Sequence, residues 1–198
     1  MKTLLHIKSS IFGSEGQSAQ LAETLISQWK LKHPAGEVVE RDLVAENIPH
    51  MDQTVVTALR GGAAEHTAEH QAILQRSDEL VAELKAADEV VIGLPFYNFN
   101  VPSQVKSYFD LLARAGVTFS YTENGPVGLI DDKPVYLITT RGGIYHETGI
   151  DFQIPFVKQF LGFIGLKNVE VVYAEGLAMG EIAEKALAEA NAQIAAFH

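Results

Sequence analysis

One short run limits the fold of this chain more than any other: Val90-Val91-Ile92-Gly93-Leu94, with Asp88-Glu89 before it and Pro95 after it. A strand with one wet face alternates polar and apolar residues. Five consecutive apolar residues read instead as a strand buried on both faces, as at the centre of a parallel sheet. Parallel neighbours need long crossover connections, usually helices. Helices are therefore expected on both faces of this strand.

The rest of the 198 residues alternates in the same way. Residues 3–8 read as a first strand. Residues 18–32 read as a helix, with Leu21, Ala22, Leu25, Ile26 and Trp29 on one stripe. A second strand follows at 37–42. Residues 43–65 carry no firm pattern, although Asp52 suits the cap of a short helix toward Leu59. Residues 67–87 form a longer helical pattern, with Ile73, Leu74, Leu80, Val81 and Leu84 inward. After the third strand, at 89–94, Ser103 reads as the N-cap of a helix through Arg114. Residues 117–129 read as a loop or hairpin, with Asn124-Gly125 as the turn signal. A fourth strand at 134–139, a helix at 152–161, a fifth strand at 169–173 and a closing helix at 181–197 complete the chain. Five β-α units predict an α/β three-layer sandwich with right-handed crossovers. By count, the strand order is the flavodoxin-like 2-1-3-4-5. The length suits one domain over residues 1–198.

Composition excludes several functions. A formal net charge of −10 argues against nucleic acid, whose affinity comes largely from Lys and Arg contacts to phosphate. There is no cysteine, so disulfides and thiolate metal sites are ruled out. No stretch reaches the roughly 18 apolar residues of a membrane span. The first residues are too soon charged for a signal peptide, so a cytoplasmic location is expected. His66 and His70 stand at i, i+4 spacing, but no third ligand is evident, so no metal site is expected.

Three loops stand out, and the strand order places all of them at one sheet edge. Ser9-Ser10-Ile11-Phe12-Gly13-Ser14-Glu15-Gly16-Gln17-Ser18 leads straight into a helix, where unpaired N–H groups and the helix dipole favour a phosphate. It also reads as an ordinary capped polar turn. It is neither a P-loop nor a dinucleotide fingerprint. Pro95-Phe96-Tyr97-Asn98-Phe99-Asn100-Val101-Pro102 sets aromatic and amide side chains at a strand end, between two stiffening prolines. The plainer alternative makes Phe96 and Phe99 core residues, with Asn98 closing its own turn. Thr140-Arg141-Gly142-Gly143 permits positive φ and offers consecutive N–H donors, or is a simple strand-to-helix turn. Together the loops describe a seat for a phosphorylated planar cofactor, and FMN fits.

At this point the sequence resembles the FMN-dependent NADH-azoreductase family, relatives of flavodoxin and of the NAD(P)H:quinone oxidoreductases. The resemblance covers essentially the whole chain. It runs through Lys8-Ser9-Ser10, Arg41-Asp42-Leu43, Tyr97-Asn98-Phe99-Asn100, Tyr108-Phe109-Asp110-Leu111, Ala113-Arg114-Ala115-Gly116-Val117-Thr118-Phe119, Tyr121-Thr122-Glu123-Asn124-Gly125-Pro126, Thr140-Arg141-Gly142-Gly143 and Phe160-Leu161-Gly162-Phe163-Ile164-Gly165. It implies FMN contacts from Ser10, Gly16, Gln17 and Ser18 near the phosphate. It implies contacts to ribityl and ring from Phe96, Tyr97, Asn98, Phe99, Thr140, Arg141, Gly142 and Gly143. The flavin carries the chemistry, so no side chain is expected to act as a catalytic nucleophile. NADH or NADPH would reduce the flavin, and quinones or azo compounds would then be reduced in a ping-pong cycle. The resemblance also implies a homodimer whose two subunits line the cleft, with Tyr121 and Phe163 walling the substrate space. Arg60, beside Gly61-Gly62, and Tyr145 are further substrate-pocket candidates. Relatives often carry methionine at Phe96, serine at Gly16 and Thr140, and histidine at Tyr145, so substrate preference is where this chain departs. A flavodoxin-type electron carrier for a protein partner is the alternative function.

Overall fold

A computed structural model describes residues 1–60 and 67–197. Gly61-Gly62 and His66, the latter half of the proposed i, i+4 pair, lie outside the described residues. In chain order the elements are β1 (Thr3–Lys8), α1 (Gln17–Lys32), β2 (Glu37–Asp42), α2 (Gln53–Arg60), α3 (Ala68–Ala86) and β3 (Glu89–Pro95). There follow α4 (Ser103–Leu112), β4 (Phe119–Thr122), β5 (Gly125–Gly128), β6 (Val135–Thr140), α5 (Gln153–Ile164), β7 (Val169–Ala174) and α6 (Glu181–Phe197). Five parallel strands form one sheet in the order β2-β1-β3-β6-β7, which is the expected 2-1-3-4-5 once the separate hairpin β4-β5 is set aside.

β3 and β6 occupy the centre, and every one of their residues is buried. Burial of a Val, Ile or Leu side chain contributes roughly 1.5–3 kcal/mol, so these two strands anchor the sheet. Two apolar layers flank it. On one face α1 and α6 cover Leu4, Val91, Ile138 and Val172, with Trp29 fully buried among them. On the other, side chains of α2, α3, α4 and α5 pack over Leu5, Ile92 and Leu137. Burial also pushes the pKa of the His6 imidazole, in β1, down to about 4.

Local chemistry sets several boundaries. Asp52 accepts the Val55 N–H at 2.8 Å and opens α2. Thr67 accepts the His70 N–H at 3.2 Å and caps α3. Ser103 differs from expectation. It is the first residue inside α4, the extended Pro102 holds the cap position, and no side chain caps this helix. The helix also stops at Leu112, where the Thr118 hydroxyl takes the Leu112 carbonyl at 2.6 Å. The hairpin packs on the end of α5, where Gly128 lies directly against the backbone of Gly165 and a Cβ would collide.

The registers Pro95↔Thr140 and Thr140↔Ala174 bring the ends of β3, β6 and β7 level. The Ser9 hydroxyl, just past β1, donates to the Gly93 carbonyl at 2.6 Å. Three loops thus leave the carboxyl edge side by side, where open α/β sheets place their ligands.

Candidate active site

The loop after β1 makes one short 3₁₀ turn, Gly13–Glu15, and enters α1 through Gly16. Its backbone bonds run within the loop: Gly13 N–H to Ser10, Glu15 N–H to Phe12, Gly16 N–H to Gly13. The Gln17 and Ser18 N–H groups find no acceptor among the described residues. They stand in the first turn of a 16-residue helix, where the macrodipole is positive. Gly16 is a close approach: a Cβ there would lie 2.8 Å from Ser10 Cβ, and nearer still to its Oγ.

The loop after β3 turns back at once. Tyr97 and Asn100 exchange both backbone hydrogen bonds, at 3.0 and 3.1 Å. Between them Asn98 has φ +49° and Phe99 φ +68°, the signature of a type I′ turn. Phenylalanine in the left-handed region carries a strain of roughly 1–3 kcal/mol. Gly142 and Gly143, where glycine permits positive φ, do not adopt it. Gly143 serves instead as a close approach, for a Cβ there would sit 2.8 Å from the Tyr145 hydroxyl.

Tyr145 folds onto this wall. Its ring stacks on Phe96, with centroids 4.8 Å apart, and meets Phe99 edge-on at 5.9 Å. The Arg141 guanidinium lies 4.7 Å from the Phe96 centroid and 5.2 Å from that of Tyr173. Burial, with the Asp151 carboxylate adding to it, raises the Tyr173 phenol pKa above its ordinary value.

The Arg141 guanidinium is held by three side chains. Its Nη2 donates to Asp151 at 2.7 Å, its Nη1 to Glu175 at 3.1 Å and its Nε to Thr139 at 3.2 Å. Its backbone N–H bonds Ala174. A buried guanidinium must keep its carboxylates, so although Arg141 lines the cavity its side chain is held by these protein partners. It positions the loop instead. Glu175 accepts the Tyr145 and His146 N–H groups as well, and Asp151 accepts those of Gln153 and Ile154. The carbonyls of Arg141, Gly142 and Gly143 are taken by the Leu177, Ala178 and Gly176 amides, and the Gly142 and Gly143 N–H groups have no acceptor among the described residues.

Gln153 was not singled out from the sequence. It is fully buried at the start of α5. Its amide donates to the Pro95 carbonyl at 2.9 Å, and its carbonyl accepts the Thr139 hydroxyl at 2.6 Å. One side chain therefore ties the end of β3 to that of β6. A glutamine ahead of an apolar helix carries no signal that could have marked it.

The loops enclose a cavity of about 190 Å³. Ser10, Gly16, Gln17, Ser18, Phe96, Tyr97, Thr140, Arg141 and Gly142 line it, joined by Phe12, Pro95 and Leu177, which were not among the expected cofactor contacts. Asn98, Phe99 and Gly143 are not part of the lining. The Tyr97 hydroxyl is buried and has no hydrogen-bond partner among the described residues. Arg60, Tyr121, Tyr145 and Phe163 do not line the cavity either. Arg60 is exposed at the end of α2. Tyr121 is 76% exposed on the hairpin, and its ring and that of Phe163 both contact Phe119. A larger hollow of about 290 Å³ opens beyond Glu175, toward Lys185 and Glu189 of α6. None of its lining residues comes from the loops after β1 and β3 or from Thr140–Gly142; Ile144 and Glu175 stand at its edge.

A profile of the flavodoxin-like-fold family matches residues 2–197. The chain belongs to that family. Among its relatives is an FMN-dependent NADH:quinone oxidoreductase of Cellvibrio japonicus (strain Ueda107), 52% identical over 194 residues, 98% of this chain and 97% of the relative. Among solved structures, an azoreductase from Bacillus anthracis str. Sterne superposes with a TM-score of 0.92 at 32% identity, covering 100% of this chain and 98% of that one. An FMN-dependent NADH-azoreductase from Bacillus anthracis str. Ames Ancestor, in complex with FMN, superposes with a TM-score of 0.86 at 28% identity, covering 100% and 99%.

Proposed function

We propose that this chain is an FMN-dependent NADH:quinone oxidoreductase that also reduces azo compounds. The observation that carries the reading is the meeting of three loops around one cavity with donors left over. The unpartnered Gln17 and Ser18 N–H groups at the α1 N-terminus suit a phosphate. The orphaned Tyr97 hydroxyl and the Gly142 and Gly143 amides suit polar atoms of a ribityl chain or a ring edge. The residues present therefore fit FMN, and the near-complete match to a relative of that activity supports the assignment.

When bound, FMN supplies two-electron hydride chemistry between NADH and the acceptor. The protein's part is positioning and electrostatics. The α1 N-terminus holds the phosphate, and Phe96 and Tyr97 provide the wall. The unpaired Gly142 N–H at the cavity, with that of Gly143 beside it, would supply donors for negative charge on the bound flavin, in the manner of an oxyanion hole. The Arg141–Asp151–Glu175 network keeps the Gly-Gly loop in place.

The same reading takes residues 1–198 as one FMN-binding domain in a cytoplasmic homodimer. Tyr121 and Phe163 would then wall the acceptor space of the partner subunit's site. Their exposure or partial exposure, away from the cavity of their own chain, supports this.

The test is a visible spectrum of the purified chain followed by anaerobic NADH. A flavin spectrum bleached by NADH, with steady NADH oxidation on menadione or methyl red and no protein partner, is expected. A colourless protein that stays apo in added FMN overturns the reading. Gly142→Val, whose side chain would project beside Ala178 at the cavity, is expected to weaken FMN binding at least tenfold.

A further inference from the structure

His6 stands away from the three loops, and nothing above uses it. Its side chain is fully shielded, yet neither ring nitrogen has a hydrogen-bond partner among the described residues. Buried polar groups are normally paired, so an idle buried imidazole calls for an explanation. The ring is aimed at carboxylates. Nδ1 lies 3.7 Å from Glu23 Oε1 on α1. Glu40 is its register partner on β2, so both side chains leave the same face of the sheet. One ligand atom from each of His6, Glu23 and Glu40 lies within 4.8 Å of the other two. Asp42 adds negative charge nearby, and Lys8, 3.4 Å from Glu40, is the opposing cation of the cluster.

We propose that His6, Glu23 and Glu40 form a binding site for a divalent transition cation of the Zn²⁺ type, with water completing the shell. One imidazole and two carboxylates suit such an ion better than Ca²⁺ or Mg²⁺, which prefer oxygen alone. A tetrahedral zinc shell, with bonds of about 2.1 Å, sets ligand atoms roughly 3.4 Å apart. The glutamate ends must therefore swing inward by at most about 1.4 Å from the present separation. Both can move, since Glu23 is 55% and Glu40 50% exposed, and they also give the ion its path from solvent. Ion binding draws Glu40 away from Lys8 and clamps α1 onto β1 and β2. The sequence reading expected no metal because it compared histidine spacings along the chain. These three ligands come from three different elements.

The test uses the full-length chain, treated with EDTA, dialysed and titrated calorimetrically with ZnCl₂. One saturating equivalent per chain is expected, with the melting temperature raised by roughly 5–10 °C at a hundredfold excess over Kd. The double variant Glu23→Gln/Glu40→Gln, altered at two half-exposed positions, should lose that equivalent with an unchanged circular dichroism spectrum. Lys8→Gln should bind at least threefold tighter. Absence of saturable binding, or an equivalent retained by the double variant and so held by surface histidines, overturns the proposal. Should the double variant fail to fold, long-range ¹H–¹⁵N spectra of the unaltered chain decide. A zinc-dependent shift of a His6 ring nitrogen supports the site, and an unmoved one overturns it.

Discussion

The two rims of the cavity are built by opposite means. The rim after β1 is largely local: apart from the Ser9 hydroxyl on Gly93, its backbone hydrogen bonds join residues three apart, and it leaves the first amides of α1 unpaired among the described residues. The rim after β3 and β6 is assembled from afar. Gln153 reaches back 58 residues to Pro95, and Arg141 reaches forward 34 to Glu175. The first rim holds its shape through backbone geometry and so has donors free for a ligand. The second spends its side chains on holding itself, and offers a ligand mainly backbone and ring faces. Binding and stability should therefore separate between the rims, and substitutions can test whether they do.

The largest effect is expected at Arg141. Arg141→Met leaves the Asp151 and Glu175 carboxylates facing each other without their cation, and about 3–5 kcal/mol of unfolding free energy should be lost. Urea midpoints measure it; a loss under 1 kcal/mol would remove the distinction between the rims. Gln153→Leu keeps the volume but strands the Thr139 hydroxyl and the Pro95 carbonyl, at a cost of about 2–3 kcal/mol by the same measurement. On the local rim, Gly16→Ala drives a methyl into Ser10 and should cost about 1–2 kcal/mol, with FMN affinity falling as well. Ser10→Gly should restore most of the stability, so a double-mutant cycle showing no coupling would contradict the close packing. The smallest effect is expected at Phe99→Gly. Relief of the left-handed strain offsets the lost ring contacts with Phe96 and Tyr145, leaving stability within about 1 kcal/mol of the parent in thermal melts.

The contrast between the rims is also the contrast between what could and could not be read from the chain. Strands such as Val90-Val91-Ile92-Gly93-Leu94, and helices with one apolar stripe, declare themselves through periodicity, and the five-strand order followed from their count. The unpaired amides at Gln17-Ser18 were legible because a cap and its helix are contiguous. Gln153 was not, since its partners are set by sheet register. The burial of the Arg141 guanidinium was not legible either, because sequence does not tell a buried cation from an available one; Asp151 and Glu175 decide that. Ser103 looks like a cap by residue type, yet Pro102 takes the position. Positive φ is permitted at Gly142-Gly143 but lies at Asn98-Phe99, imposed by closure of the Tyr97–Asn100 turn against phenylalanine's own preference.

Glu175 takes the Tyr145 and His146 amides as well as the Arg141 guanidinium. Those two amides sit in a loop outside any helix or strand, where exchange with solvent is ordinarily fast. Here the carboxylate ties their opening to release of a buried arginine. In deuterium exchange they should behave like core amides, and the peptide bonds around them should resist a protease that cuts other exposed loops.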